Sequence, residues 1–345
     1  GFSDGTKDGG YVSANWEIFK AKRRLTAQAT RRQLDVTFFD GRGGPPARGG
    51  GNTHRFYRSL GRSISSREIQ LTIQGQTISS KYGTRAAARY NLEQLVTAGL
   101  DTNLFAETHH LLTEDENALI DRLSERAIAA YLELKNHPRF IGYLRDRTPL
   151  TYYGKTNIAS RPTQRGGQNE ISLDRLRAIP FVGAWSQMKQ NVPGYYGFGT
   201  AIESLRDEGR LDELRALYHR SLFFRTLVDN AMQSLSKTSF ELTAHIERDP
   251  VYGEFWLMLR DEASRTREGL LAVSEQRELM DAEPIIRQSI RLREEIVTPV
   301  LVIQQYALNA IADSSVRVAG ESRETLEHMI TKSMATAVNA SRNAV

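Results

Sequence analysis

A glycine-rich stretch with two arginines constrains this chain more than any other feature. It covers residues 39–51, begins at the end of the apolar run 36–39, and contains Arg42 and Arg48. A strand that ends in glycine turns lets the backbone approach a ligand closely and presents bare guanidinium groups to it. The planar guanidinium fork matches the oxygens of carboxylate, bicarbonate or phosphate. We therefore predict a small-anion site, with a solvent-facing structural loop and an RGG-type RNA-binding segment as the alternatives.

Composition and charge predict one compact globular unit over residues 1–345. The hydrophobic fraction of 40% and the charged fraction of 25% are those of an ordinary soluble domain of this size. The absence of cysteine excludes disulfides, thiolate catalysis and zinc–sulfur sites. The net charge of +5 is interspersed with acidic residues, which does not indicate a nucleic-acid surface. With no long apolar run and no signal peptide in the sequence, we expect a cytoplasmic protein without a membrane partner.

The first ten residues, GFSDGTKDGG, are expected to form a polar loop. Such a loop usually follows a strand, and the chain begins without Met, so we expect a fragment of a longer protein. Asp4 in this loop can hold Mg²⁺ or Mn²⁺, because these ions prefer oxygen ligands. Lys7 can neutralise developing negative charge. A solvated turn is the alternative interpretation.

The periodicity of the sequence predicts an α/β fold that is predominantly helical. Strands are expected over residues 36–40, 69–73 and 181–185. The capping box from Thr113 to Glu116 predicts a helix over residues 118–134. Further helices are expected over residues 86–97, 211–236, 255–278, 285–297 and 324–339. Because polar loops follow the strands, the pattern is typical of the catalytic face of a barrel or an open sheet.

Two further arginines are candidates for a pocket. Arg177 precedes Pro180, where a short helix is expected to give way to a strand, and a pocket or a surface position are equally consistent with this. Arg293 falls on the apolar face of the helix over 285–297, whereas Glu294 falls on the opposite face. A guanidinium on an apolar face needs a partner. A structural ion pair and an acidic ligand are the two explanations.

Five segments of the sequence form a set of motifs. They read GFSDGTKDGG, FDGRGGPPARGG, QGQ, SRPTQR and RAIPFVGAWSQ. In this order they resemble the C-terminal portion of the phosphoenolpyruvate carboxylase family, in which the corresponding motifs are GYSDSxKDAG, FHGRGGSxGRGG, QGE, SRPAKR and RAIPWxxxWTQ. The resemblance implies the C-terminal part of a TIM-like (β/α) barrel with many extra helices.

The resemblance also implies a reaction and roles for individual residues. The reaction is carboxylation of phosphoenolpyruvate by bicarbonate, giving oxaloacetate and phosphate with Mg²⁺ or Mn²⁺, in a homo-oligomeric (tetrameric) enzyme. Asp4 would be a metal ligand. Lys7, Arg42, Arg48 and Arg177 would be catalytic, and Arg42, Arg177, Lys189 and Gln76 would bind substrate. Arg48, Lys237, Arg293 and Asn343 would bind aspartate or malate as an inhibitor.

The sequence departs from the family motifs at several positions, including Pro45-Pro46, which stiffen a loop that is Ser/Gly-rich in the family. Asp40 replaces a histidine, Gln76 a glutamate and Lys189 an arginine, which indicates a divergent, bacterial-type branch. The family's catalytic histidine and second metal carboxylate lie upstream of the motifs found in this chain. We therefore expect the chain alone to be catalytically inactive. A regulatory module that binds a dicarboxylate without turnover is the alternative function.

Overall fold

The computed structural model describes residues 1–64, 68–73, 76–105, 110–156, 158, 163, 171–318 and 320–341. The described part of the chain is predominantly helical. Its α-helices, α1 to α14 in chain order, are Phe2–Gly9, Tyr11–Arg31, Thr53–Ser59, Gln76–Tyr82, Arg85–Leu104, Glu114–Asn136, Phe140–Arg147, Ala178–Gln187, Phe198–Asp207, Leu211–Arg220, Leu222–Leu235, Gly253–Ser274, Pro284–Ala312 and Arg323–Ser341. Its strands are β1, Phe38–Arg42, and β2, Ile69–Ile73. Short 3-10 helices cover Pro46–Arg48, Pro149–Lys155, Val192–Gly194, Phe240–Arg248 and Ser314–Val316.

The two strands form a parallel pair. Phe38 lies opposite Ile69 at one end, and Arg42 lies opposite Ile73 at the other. Between the strands the chain passes through the glycine-rich loop and α3, since parallel strands require a crossover connection. The strand predicted over 69–73 is confirmed, and the one predicted over 36–40 begins and ends two residues later. Within the described residues the sheet has these two strands, and the barrel stays a prediction.

The prediction of a loop over the first ten residues is wrong, because residues 2–9 form α1. Packing explains why a glycine-rich segment becomes a helix. Phe2 is only 3% exposed, and a Cβ added to Gly5 would lie 3.3 Å from the Cβ of Ala14, so α1 and α2 approach closely. Gly10, with φ of 80°, makes the turn between the two helices. Tertiary contacts here override the low helix propensity of glycine.

The prediction of a strand over residues 181–185 is also wrong, because these residues belong to α8. Pro180 is the third residue of this helix, where a backbone N–H has no intrahelical partner to lose. Phe181 and Trp185 are both fully buried. A short, wholly buried apolar run has the same sequence pattern in a strand and in a helix, so periodicity cannot separate them.

The remaining predicted helices are confirmed with altered bounds. Thr113 and Glu116 form the expected reciprocal capping box at the start of α6. The helix predicted over 211–236 is divided into α10 and α11 at Ser221, whose side chain accepts a hydrogen bond from the backbone N–H of Phe224. The helix predicted over 285–297 continues as α13 through Pro299 to Ala312.

Two large hydrophobic clusters form the core. The first surrounds Trp16 and includes residues of α2, α6 and α9 to α12. The second surrounds Trp185, whose ring stacks on Tyr143 with centroids 5.9 Å apart, and includes residues of α7, α8 and α12 to α14. Helix α12 contributes to both clusters and so connects them. Among the described helices, none combines the length and the apolar character that crossing a membrane requires.

Candidate functional site

The glycine-rich loop after β1 is closed by hydrogen bonds of its own backbone. The N–H of Gly43 donates to the carbonyl of Arg48 at 2.7 Å, and the N–H of Gly51 donates to that of Gly44 at 3.3 Å. The carbonyl of Pro45 accepts from the N–H groups of Arg48 and Gly50, both at 2.9 Å. A Cβ at position 50 would lie 1.8 Å from the carbonyl oxygen of Gly44, so the two arms of the loop meet where only glycine fits.

Arg42 lies under this loop and holds it in place. Its side chain is buried, and its Nε donates to the carbonyl of Gly49 at 2.6 Å while Nη2 donates to that of Gly50 at 3.2 Å. The guanidinium also lies 4.1 Å from the ring centroid of Phe56, a cation–π contact. The prediction that Arg42 presents a bare guanidinium is therefore wrong, because a buried guanidinium requires acceptors and the loop supplies two. Burial lowers its pKa.

Asp40, which replaces the family's histidine, forms a buried ion pair. The Nζ of Lys22 lies 2.6 Å from Oδ1 and 2.8 Å from Oδ2 of Asp40, and the hydroxyl of Tyr57 donates to Oδ2 at 3.2 Å. Asp40 and Arg42 are two residues apart on β1, so their side chains leave the same face of the strand. Burial lowers the pKa of Lys22, although the Asp40 carboxylate opposes that shift.

Lys81 is a functional candidate that the sequence analysis missed. Its Nζ donates to the carbonyl of Gly51 at 3.3 Å and to the hydroxyl of Thr53 at 3.4 Å, beside the glycine-rich loop. Burial, together with the nearby charge of Arg42, lowers its pKa to about 8. The sequence could have pointed to Lys81. It follows β2 in the chain, just as the glycine-rich loop follows β1, and neighbouring parallel strands end at the same edge of a sheet.

Arg48 closes the tip of the loop. A Cβ added to Gly43 would lie 2.7 Å from the Cβ of Arg48 and 2.8 Å from its Nε, so the arginine side chain covers this glycine. Burial lowers the pKa of Arg48 to about 10, and the hydroxyl of Tyr153 opposes the shift. Its predicted roles in catalysis and inhibitor binding stay predictions.

Helix α1 carries the two candidates from the first motif. Asp4 is exposed. Lys7 is buried, and its Nζ donates to the carbonyl of Leu173 at 3.0 Å and pairs with Asp8 at the same distance. Across the described residues, no group of three histidine, aspartate or glutamate side chains could hold a metal ion. Asp4, the predicted metal ligand, supplies one carboxylate at the surface of α1.

Arg177 lies at the beginning of α8, which packs against both α1 and the glycine-rich loop. Its backbone N–H donates to the carbonyl of Thr163 at 3.0 Å. Its Nε is buried and has no hydrogen-bond partner among the described residues. A buried guanidinium nitrogen of this kind is suited to receive an anionic oxygen. The side chain of Gln76 and the whole of Asn343 lie outside the described part of the chain.

Three of the predicted cationic residues line one cavity of about 70 Å³. They are Lys189, Lys237 and Arg293, and the wall also includes Glu294 and the loop residues Pro45, Pro46 and Ala47. The structure thus places Lys189, predicted as a substrate residue, with the predicted inhibitor residues. Arg48 is not among the residues that line the cavity, although its three predecessors in the loop are.

The charged side chains that line this cavity form an ion pair and shift one another's pKa values. Lys189 is 5% exposed and forms an ion pair with Glu294, which the helical pattern had placed on the opposite face of α13. Burial lowers the pKa of Lys189, and Glu294 opposes this shift. Desolvation of its ammonium lowers the pKa of Lys237 to about 8; the Glu294 carboxylate opposes this shift, and the positive charges of Lys189 and Arg293 add to it. The Nε of Arg293 donates to the hydroxyl of Ser289 at 3.3 Å.

In this mainly helical protein a buried arginine lies under a closed glycine loop, and a nearby cavity is lined by three cations and one carboxylate. The sequence profile described as phosphoenolpyruvate carboxylase matches residues 1–344. The chain therefore belongs to the phosphoenolpyruvate carboxylase family, which confirms the resemblance noted in its motifs.

Individual relatives agree with this assignment. The phosphoenolpyruvate carboxylase of Xanthomonas euvesicatoria pv. vesicatoria is 35% identical over 307 residues, covering 88% of this chain and 34% of the relative. That of Rhodothermus marinus is 33% identical over 313 residues, covering 88% and 33%. That of Nocardia farcinica is 34% identical over 356 residues, covering 99% and 37%. The chain thus spans about a third of the length of the curated relatives it matches.

Proposed function

We propose that this chain carries the arginine-rich part of an active site that carboxylates phosphoenolpyruvate with bicarbonate, giving oxaloacetate and phosphate. Family membership supports this proposal, and so does one structural observation, namely that α1, the glycine-rich loop and the start of α8 pack together. Phe2 of α1 lies against Gly49 of the loop. Lys7 of α1 donates to the carbonyl of Leu173, four residues before Arg177. These segments carry the candidates Asp4, Lys7, Arg42, Arg48 and Arg177.

The proposed chemistry passes through carboxyphosphate and the enolate of pyruvate, both rich in negative charge. Prearranged cations that meet this charge as it develops are the main means of catalysis available. Arg177, whose buried Nε has no described partner, is the side chain best placed to donate to a substrate oxygen. Arg42 holds the loop backbone in position, and Lys81 adds a second cation beside it.

The proposal extends to the metal, the barrel and the assembly. Asp4 would supply one oxygen ligand to Mg²⁺ or Mn²⁺, and the other ligands would have to come from outside the described residues. The parallel pair of β1 and β2, joined through α3, supports their being neighbouring strands of a TIM-like barrel. We further propose that residues 1–345 form one unit, that the protein assembles as a homotetramer, and that it is located in the cytoplasm.

Carboxylation by the complete polypeptide that carries this sequence tests the proposal. Oxaloacetate formation is followed through malate dehydrogenase, and Arg177→Met is expected to lower kcat/KM by about 100-fold, as the loss of one donor to developing charge does elsewhere. Arg210→Met is the matched control, since Arg210 is paired with Glu213 near the surface. The 345-residue chain by itself is expected to show no turnover. Full activity of Arg177→Met, or no carboxylation by the complete polypeptide, would refute the proposal.

The cavity supports a second function, binding of aspartate or malate as an inhibitor. Lys189, Lys237 and Arg293 converge on it from α8, α11 and α13 or from the residues that follow them. Convergence of three cations on one small cavity is the arrangement expected for a carboxylate ligand. Calorimetric titration with malate tests this function separately from turnover, and loss of binding in Lys237→Met is the expected result.

A further inference from the structure

The cavity that collects three cations also contains a carboxylate of the protein itself. Glu294 lines the cavity together with Lys189, Lys237 and Arg293. Its carboxylate forms an ion pair with the Nζ of Lys189, whose side chain is only 6% exposed. One of the cations that would attract an acidic ligand is therefore already bound to an internal carboxylate.

Glu294 also faces a second space. Besides the cavity, it lines a neighbouring open groove together with Arg267, Arg287 and Arg291. Arg291 precedes Glu294 by three residues on α13, so the two side chains lie side by side on the helix surface. Rotation of the Glu294 side chain toward the groove would bring its carboxylate beside Arg291, whereas Arg287 is already paired with Glu278 and Asp281. The carboxylate would keep a cationic partner in both positions.

We propose that Glu294 is a specificity-determining residue that competes, from within the protein, with acidic ligands for this cavity. The inference rests on the proposed function of the cavity as a carboxylate site. A ligand carboxylate reaches Lys189 only when Glu294 moves away, and Glu294 repels any anion that enters beside it. Because Coulomb repulsion scales with ligand charge, the residue weakens binding of a dianion more than that of a monoanion.

Calorimetric titration of the full chain with L-malate and with acetate tests the proposal. Below neutral pH, Glu294→Gln is expected to bind malate about tenfold more tightly than the wild type, because one like charge close to the ligand is removed. The gain for acetate is expected to be smaller. Glu295→Gln is the matched control, since Glu295 is exposed and lines only the groove, and its malate affinity should stay unchanged.

The outcomes separate the inference from the function on which it rests. If wild type and Glu294→Gln bind malate equally, or the variant binds it more weakly, Glu294 is not a competitor and the cavity remains a carboxylate site. If the gain for acetate equals the gain for malate, the role in specificity is refuted. If no variant binds either acid, both the site and the inference are refuted. If thermal melting shows that Glu294→Gln is unfolded, Glu294→Ala is used in its place, because it removes the same charge.

Discussion

Replacing Lys22 with methionine removes one half of the buried ion pair behind β1. The side chains of Lys22 and Asp40 are 8% and 5% exposed, and the ammonium contacts both carboxylate oxygens. Without it, the Asp40 carboxylate keeps the hydroxyl of Tyr57 as its remaining described hydrogen-bond partner, with the charge of Arg42 nearby. Breaking a buried pair by removing one partner costs about 3–5 kcal/mol, because an uncompensated charge stays in the interior. We expect Lys22→Met to lower the free energy of unfolding by that amount.

A double-mutant cycle in urea measures this directly. Fluorescence of the buried Trp16 and circular dichroism should give coincident transitions, which is the condition for a two-state free energy. The double variant Lys22→Met with Asp40→Asn should be more stable than Lys22→Met alone by about 1–3 kcal/mol, since the stranded charge is removed as well. Arg24→Met, an exposed position on the same helix, is the control and should change stability little.

Two results would refute this reasoning. One is a double variant that is less stable than Lys22→Met, since the carboxylate would then not be the source of the loss. The other is an equal loss for Lys22→Met and Arg24→Met, since the effect would then follow net charge rather than burial of the pair.

Two further predictions concern the cavity and the capping box. Malate affinity should be highest below about pH 8 and should fall as the pH rises through the lowered pKa of Lys237, because the neutral amine no longer attracts a carboxylate. Lys237→Arg should bind malate with a smaller pH dependence than the wild type in calorimetric titrations over this range, and an equally steep fall would contradict the assignment. Thr113→Ala should lower the free energy of unfolding by about 1 kcal/mol through loss of the helix cap, whereas a change in the urea midpoint no larger than that of Arg24→Met would contradict it.

The sequence predicted those elements whose signals are local. The capping box at Thr113 and the alternating apolar residues of β2 depend on neighbours in the chain, and both elements form where they were expected. Helix α1 depends instead on distant partners, since Phe2 is buried against Gly49, forty-seven residues later. No local pattern contains that contact.

The candidate site shows the same limit. The motifs drew attention to Arg42, but its guanidinium donates hydrogen bonds to the carbonyls of Gly49 and Gly50. A pattern of a strand followed by a turn does not reveal these bonds. A helical wheel placed Glu294 opposite the apolar face of its helix because it considers one helix at a time. Lys189, which the structure brings up to α13 in a left-handed backbone conformation with φ of 56°, is what draws that carboxylate inward.

The closed glycine-rich loop has a consequence for how the family can diversify. Its shape is maintained by main-chain bonds and by Arg42 from below, and none of these uses the side chains at residues 45–47. Those three side chains nevertheless form part of the cavity wall. Mutation at these three positions can therefore change the shape of the cavity while the backbone-bonded loop beside it keeps its conformation.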